Sequence, residues 1–267
     1  MQSEEFKEML WWRGHELYRD MPWRSDIRPY YVLVSELMLQ QTQVTRVVPK
    51  FNAFIERFPN ERVLADADLS DVLVQWQGLG YNRRAKFLHD AAKMITTRFK
   101  GAFPEAESDI LALPGVGENT AGAIGAYAFN KPRIFVETNV RTVYIHHFFE
   151  DDNVVNDSAI RTLLASTIDT EHPREFYWAL MDYGAWLKAN GIRTNSRSKH
   201  YIKQSPLEGS VRQVRGKIIS ALANDPKLPV ATLHKRVAGD NRFDLALSGL
   251  ERDGLVSVRA GYVRLTK

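Results

Sequence analysis

From the N-terminus to about residue 205, apolar residues recur at helical spacing and strand-like alternation is almost absent. Leu33, Leu37, Val44 and Val48 lie four or seven residues apart, and Val63, Leu64, Leu69, Val72, Leu73 and Trp76 continue the rhythm. Pro22, Pro29, Pro59 and Pro104 fall between the periodic segments, while Asp68 or Ser70, Ser108 and Asp157 stand where N-caps are expected. The pattern predicts an all-α body of about ten short helices. No repeat of 20–50 residues interrupts it, which argues against a solenoid. From Ser210 the spacing resets. Val211, Val214, Ile218 and Leu222 mark one helix, Val230, Leu233 and Val237 a second, and Leu245, Leu247 and Leu250 a third. The closing LVSVRAGYVRL reads as a hairpin turning at Ala260-Gly261. Three helices followed by a hairpin give a small winged-helix-like outline, which in principle either touches DNA or packs on the main body.

Composition narrows the classes. The 267 residues, 44% of them hydrophobic and carrying a net charge of +4, fit a globular protein of one large or two modest domains. The chain contains no cysteine, so it has no disulfide, no thiolate nucleophile, no cysteine-ligated zinc and no cysteine-held iron–sulfur cluster. The start MQSEEFKEML is acidic and amphipathic, unlike a signal peptide, and no stretch reaches the roughly 18 apolar residues of a membrane span. A cytoplasmic location is expected. Charge is unevenly spread. Residues 188–217 hold Lys188, Arg193, Arg197, Lys199, Lys203, Arg212, Arg215 and Lys217 against the single acid Glu208, a balance suited to a phosphate backbone or to a solvated linker.

Two segments carry candidate chemistry. Leu113-Pro114-Gly115-Val116-Gly117 separates the helical run SDILA from NTAGAIGAYAF. Two glycines allow a tight, partly left-handed turn, and the following helix offers unpaired N–H groups, so Gly115, Val116 and Gly117 form a candidate phosphate clamp. Such a helix–hairpin–helix binds the DNA backbone without reading sequence. In the run VLVSELMLQQ, Glu36 is the only ionisable residue. A carboxyl on a largely buried helix has its pKa raised and can serve as a general acid, although a Glu on the exposed edge of an amphipathic helix is the commoner case. His146 and His147 are adjacent and so point about 100° apart, which makes a shared metal the weaker reading.

Pro22-Trp23-Arg24, PYYVLVSELMLQQTQV, Gly78-Leu79-Gly80-Tyr81 with Arg83-Arg84-Ala85, LPGVGENTAGAI, Val136-Glu137-Thr138-Asn139-Val140-Arg141 and Ala179-Leu180-Met181-Asp182-Tyr183-Gly184-Ala185 occur in that order. Over roughly residues 20–187 this sequence resembles the MutY-type adenine DNA glycosylases of the helix–hairpin–helix superfamily. The tail SVRQVRGKIISAL looks like the short tail of some bacterial members. The resemblance implies a two-part helical glycosylase fold. Residues 27–129 would form a six-helix subdomain, residues 1–26 and 130–205 a second helical subdomain, and residues 206–267 the winged-helix-like domain.

The implied activity is hydrolysis of the N-glycosidic bond of adenine mispaired with 8-oxoguanine or guanine, on double-stranded DNA, by a monomer without cofactor or metal. A base inside a duplex must be extruded, its place filled, and the leaving base protonated while an oxocarbenium-like sugar is stabilised. By resemblance, Glu36 is the general acid and Gln41 and Tyr81 wedge into the duplex. Thr42 and Leu79 sit near the opposite base, and Trp23, Arg24 and Asp182 line the adenine pocket. The same positions read plainly as core (Trp23, Leu79) or as a surface ion pair (Arg24, Asp182). Asn139 belongs with the catalytic group, and Arg141, Lys199 and Lys203 with the DNA contacts. Three departures stand out. The family's catalytic aspartate is here Glu137, one methylene longer, which would either face the sugar cation or simply cap the next helix. The Schiff-base lysine of bifunctional relatives is here Asn119, so a monofunctional enzyme is expected. Lys188 and Asn195 occupy what look like the first two ligand positions of the family's cluster, and the loop would be held by packing of Trp186, Ile192 and Tyr201. A changed target, thymine or uracil opposite guanine, or a non-catalytic lesion-binding protein are the alternatives.

Overall fold

The computed structural model describes residues 2–201, 205–237 and 240–267. Its helices are α1 (Ser3–Glu16), α2 (Pro22–Ser25), α3 (Pro29–Leu39), α4 (Val44–Arg57), α5 (Glu61–Ala65), α6 (Leu69–Gln75), α7 (Arg83–Thr97), α8 (Glu107–Leu111), α9 (Glu118–Tyr127), α10 (Thr138–Phe148), α11 (Asp157–Thr167), α12 (Pro173–Ala189), α13 (Val211–Asn224), α14 (Val230–Val237) and α15 (Arg242–Arg252). A 3-10 turn spans Thr194–Arg197, and the strands are β1 (Leu228–Pro229), β2 (Val256–Arg259) and β3 (Tyr262–Leu265). Pro22 and Pro173 open α2 and α12, where a missing N–H costs nothing. Asn60, Asn156 and Ser210 cap α5, α11 and α13 by accepting from the backbone N–H of Val63, Ser158 and Gln213. Two expected caps therefore move: Asn156 serves in place of Asp157, and α8 starts after Ala106, with Ser108 already inside the helix. Asp68 does precede α6, without a side-chain capping bond.

The chain forms two compact units, Met1–Val32, Glu105–Ala112 and Val116–Lys203 in the first, and Leu33–Pro104, Leu113–Gly115 and Gln204–Lys267 in the second. In the first, α12 packs against α10 and α1 around Phe6, Leu10, Tyr144, Phe176, Tyr177 and Leu180, all fully buried. Gly14 lets α1 and α12 meet, since a Cβ there would lie 2.6 Å from that of Ala179. In the second, Phe51, Phe54, Phe58, Leu64, Trp76, Leu88 and Ile95 are buried, and the Trp76 ring meets Phe54 edge-on at 6.0 Å. Of the expected periodic positions, Val44 and Val48 are only half-buried, α4 burying Val47, Phe51 and Phe54 instead, and Val63 is 41% exposed.

The predicted three helices and hairpin are α13, α14, α15 and the β2–β3 pair, in which Val258 faces Val263. Ala260 and Gly261 both take positive φ, 49° and 75°, as a two-residue turn between twisted strands demands. Leu228–Pro229 adds a short edge, giving an antiparallel sheet of order β1-β3-β2. The described residues from 205 onward are not a free-standing appendage. Helix α13 packs on α6, and the segment shares one compact unit with residues 33–104.

Candidate active site

In the first unit, the backbone between α9 and α10 has no regular structure, and side chains satisfy its polar groups. The Tyr177 hydroxyl donates to the Arg133 carbonyl at 2.7 Å and accepts from Phe135 N–H at 3.1 Å. Burial pushes that hydroxyl's pKa up, keeping it a neutral donor. Arg161 Nη1 donates to the Ile134 carbonyl at 2.9 Å. Asn119 then grips both sides of Val136: its Nδ2 donates to the carbonyl at 3.1 Å and its Oδ1 accepts from the N–H at 3.3 Å. Arg161 Nη2 reaches the same Oδ1 at 3.4 Å. The residue in the Schiff-base position thus acts on the backbone immediately before Glu137.

Glu137 is the N-cap residue of α10, but its side chain makes no capping hydrogen bond, so simple capping does not account for it. Its carboxyl is half-buried, and desolvation raises its pKa, partly offset by the charge of Arg141. Asn139, two residues on, donates to Met181 Sδ at 3.5 Å, while its buried Oδ1 finds no partner among the described residues. Gly184 permits this geometry. A Cβ there would come within 2.7 Å of the Asn139 carbonyl, so only glycine lets α12 approach the first turn of α10 so closely.

Arg24 and Asp182 form a buried pair rather than a surface one. Arg24 Nη1 and Nη2 donate to the two carboxylate oxygens at 2.6 and 3.0 Å, with side-chain exposures of 3% and 0%. Arg19 adds bonds from Nε at 2.7 Å and from its backbone N–H at 3.3 Å. Two bonds to each carboxylate oxygen commit the Asp182 carboxylate to Arg19 and Arg24. The Arg24 guanidinium lies 5.3 Å from the rings of both Tyr18 and Trp178. Trp23 is 8% exposed, so it too belongs to the core. These residues tie α2 to α12.

The second unit holds Glu36 and the expected wedge residues. Glu36 is half-buried on α3, between buried Ser35 and Leu37. Gln41 and Tyr81 both adopt left-handed backbone, φ 56° and 47°, which few non-glycine residues accept. One guanidinium joins their loops. Arg84 Nη1 donates to the carbonyls of Leu37, Met38 and Gln40 at 2.6–2.9 Å, closing the C-terminus of α3. Its Nη2 donates to Thr42 Oγ1 at 3.2 Å and to the Leu79 and Gly80 carbonyls at 3.2 and 3.1 Å. Burial without an acidic partner lowers its pKa to about 10. Thr42 also donates to the Leu79 carbonyl at 3.4 Å. Leu79 itself is 3% exposed, so its backbone faces this network while its side chain is core.

The turn Leu113–Gly117 follows the expected helix–hairpin–helix outline, with one change. Gly115 is left-handed, φ 80°, and a Cβ there would lie 2.7 Å from that of Phe87. Gly117 takes ordinary extended backbone as the N-cap of α9, and nothing lies within 4 Å of a Cβ there. Val116 is buried. Arg141 is bound bidentately to Asp157 at 2.8 and 2.7 Å. Lys199 is exposed, and Lys203 lies outside the described residues. His147 bonds the Tyr183 hydroxyl at 2.9 Å, its pKa lowered to about 4 by burial and by His146. Among the described residues no cluster of acids and histidines could hold a metal, and no helix is long and apolar enough to cross a membrane.

Residues 34–168 match the model for the HhH-GPD superfamily base excision DNA repair protein. The chain is 34% identical to the adenine DNA glycosylase of Mycolicibacterium smegmatis over 95% of its own length and 92% of that protein. It belongs to the HhH-GPD superfamily and, within it, to the adenine DNA glycosylases. A second adenine DNA glycosylase, from Buchnera aphidicola subsp. Baizongia pistaciae, is 34% identical over 80% of this chain, which spans 63% of that relative. A thermostable thymine-DNA glycosylase shares the fold, with a TM-score of 0.63 at 24% identity over 74% of this chain and 96% of that one.

The cluster that resemblance to this family brings to residues 188–201 does not fit them. This sequence has no thiolate to bind iron, and an arginine ties the segment to α10 and the residues after it. Arg197 donates to the carbonyls of Phe149, Glu150 and Asp152 at 2.8–3.1 Å and to that of Ile145 at 3.3 Å, gathering the C-terminus of α10. Thr194 donates to the Thr142 carbonyl, and Val155 pairs with Ser198 through the backbone. Tyr201 is 47% exposed, so hydrogen bonds take the place of the expected anchoring by its ring. Sequence reading missed four residues here. Arg84 and Gly184 lay inside quoted motifs, where their spacing was visible but their partners were not. Arg161 and Arg197 carried no signal beyond charge.

Proposed function

We propose that this chain is a monofunctional adenine DNA glycosylase of base excision repair, acting as a monomer without a cofactor on double-stranded DNA that carries adenine opposite 8-oxoguanine or guanine. Its location would be the cytoplasm, at the nucleoid. The observation that carries this reading is Glu137. It sits at a helix start without capping that helix, half-buried, with the preceding backbone gripped by Asn119, Arg161 and Tyr177. That is how a fold holds a carboxylate for something other than its own stability.

In this reading Glu36 gives its proton to the adenine ring, the N-glycosidic bond breaks with its electron pair leaving on the base, and water adds to the sugar while its proton returns to the Glu36 carboxylate. Glu137 stabilises the oxocarbenium-like centre as its carboxylate, the developing positive charge favouring the ionised form against the burial that raises its pKa. Asn139, two residues on, keeps a buried Oδ1 with no partner among the described residues as a candidate acceptor. Asn119 has no amine to form a Schiff base, so the strand is left uncut. Gln41 and Tyr81, held in strained backbone, fill the space the extruded base vacates.

The test is single-turnover base release from duplexes holding adenine opposite 8-oxoguanine, adenine opposite guanine, thymine opposite guanine and uracil opposite guanine. Adenine release from the first two, without strand cleavage, is expected. Release of thymine or uracil alone would replace adenine as the target, and tight mismatch binding without release of any base would leave a non-catalytic binder.

A further inference from the structure

The C-terminal module has no part in the chemistry above, yet one of its side chains reaches a wedge residue. Arg212, in the first turn of α13, holds its guanidinium 4.9 Å from the centre of the Tyr81 ring, and its Nη1 donates to the Tyr81 hydroxyl. Its Nη2 donates to the Ser205 carbonyl at 3.0 Å, which fixes the direction of the fork. Arg84 touches the same ring at 5.5 Å, so two arginines bear on one tyrosine. The backbone below is equally constrained: Trp76 Nε1 donates to the Gly80 carbonyl at 3.2 Å, as does Arg84. The module is anchored in turn. Asp253, just after α15, accepts from Arg215 at 2.5 Å and lies 3.6 Å from Arg83 of α7.

We propose that Arg212 is a positioning residue for Tyr81, holding the ring in the orientation in which it enters the duplex and thereby making the C-terminal module part of mismatch recognition. This rests on the reading of Tyr81 as a duplex wedge. A solvated tyrosine surrenders rotamer freedom when it inserts, whereas a ring already held by a hydrogen bond and two guanidinium contacts has lost it before DNA arrives. The arrangement is specific to the hydroxyl. A cation serving phosphates alone gains nothing from spending a donor on a phenol oxygen.

The test is equilibrium binding of the full chain to a duplex with adenine opposite 8-oxoguanine and to its fully matched counterpart, in a Glu36→Gln background that prevents turnover. Arg212→Ala is expected to lower the preference for the mismatch about tenfold. Tyr81→Phe, which keeps the ring and the fold but loses the hydroxyl, should lower it severalfold. Once Tyr81→Leu is present, adding Arg212→Ala should change nothing further. If Arg212→Ala instead weakens both duplexes equally, and does so to the same extent in the Tyr81→Leu background, Arg212 is a phosphate contact and the proposal is overturned. A parent protein with no preference for the mismatch would overturn the glycosylase reading itself, an outcome distinct from a normal preference with additive variants.

Discussion

The Glu137 segment and the loops of Gln41 and Tyr81 are both short stretches without regular structure, and the fold fixes them by different means. From Arg133 to Val136, ahead of Glu137, no residue is left-handed, and the backbone groups are answered one by one by Tyr177, Arg161 and Asn119. At Gln41 and Tyr81 the backbone is left-handed, and one buried cation, Arg84, holds both loops through carbonyl oxygens. A group meant to stay still is served by many small bonds, each replaceable. Residues meant to project from a turn take a strained conformation that a single strong centre must stabilise.

Removing the two kinds of support should therefore have unequal consequences. Arg84→Ala removes the donor shared by the Leu37, Met38 and Gln40 carbonyls and leaves Leu79 and Gly80 only the weaker bonds from Thr42 and Trp76, and is expected to cost about 3 kcal/mol or more in urea unfolding. Arg84→Lys should recover little, because an ammonium cannot fork across two loops. A loss under about 1 kcal/mol would show that the loops hold themselves. Asn119→Ala should cost about 1–2 kcal/mol, since Val136 loses one donor and one acceptor, and should slow base release roughly tenfold by loosening Glu137. Unchanged release would mean that Asn119 does not position the carboxyl.

Smaller effects sharpen the contrast. Gln41 is exposed and left-handed, so Gln41→Gly should stabilise the fold by up to about 1 kcal/mol while weakening mismatch binding. A destabilised variant would deny that strain is stored there. Away from both regions, His147 provides a pH signature. Its pKa of about 4 in the fold lies below its ordinary 6.5, so between those values the unfolded chain takes up a proton that the folded one refuses. Stability should decline as pH falls from about 6.5 towards 4, and His147→Gln should flatten that part of the curve.

The helical body, the closing hairpin and the ordered motifs were legible because they rest on local spacing: the Pro breaks, the apolar rhythm and the Ala260-Gly261 turn act within a few residues. What a side chain does at long range was not. Arg24 and Asp182 stand 158 positions apart, and no spacing rule shows that their pairing uses both carboxylate oxygens. Nor does the motif that holds Arg141 show that its acid, Asp157, sits in the next helix. Arg197 was one of eight basic residues in a run, and only its carbonyl partners reveal a structural role. Glu137 was found by its place in a motif, yet whether it caps a helix or serves a reaction depended on where its carboxyl points.

That choice is also the most direct test. Single-turnover adenine release from a duplex with adenine opposite 8-oxoguanine, measured for the parent and for Glu137→Gln with thermal unfolding alongside, isolates the carboxylate from the fold. Catalysis by Glu137 predicts release slowed by about a hundredfold or more with little change in unfolding temperature. Release at the parental rate, or a loss that tracks a fall in stability, would contradict it and return Glu137 to a structural role at the start of α10.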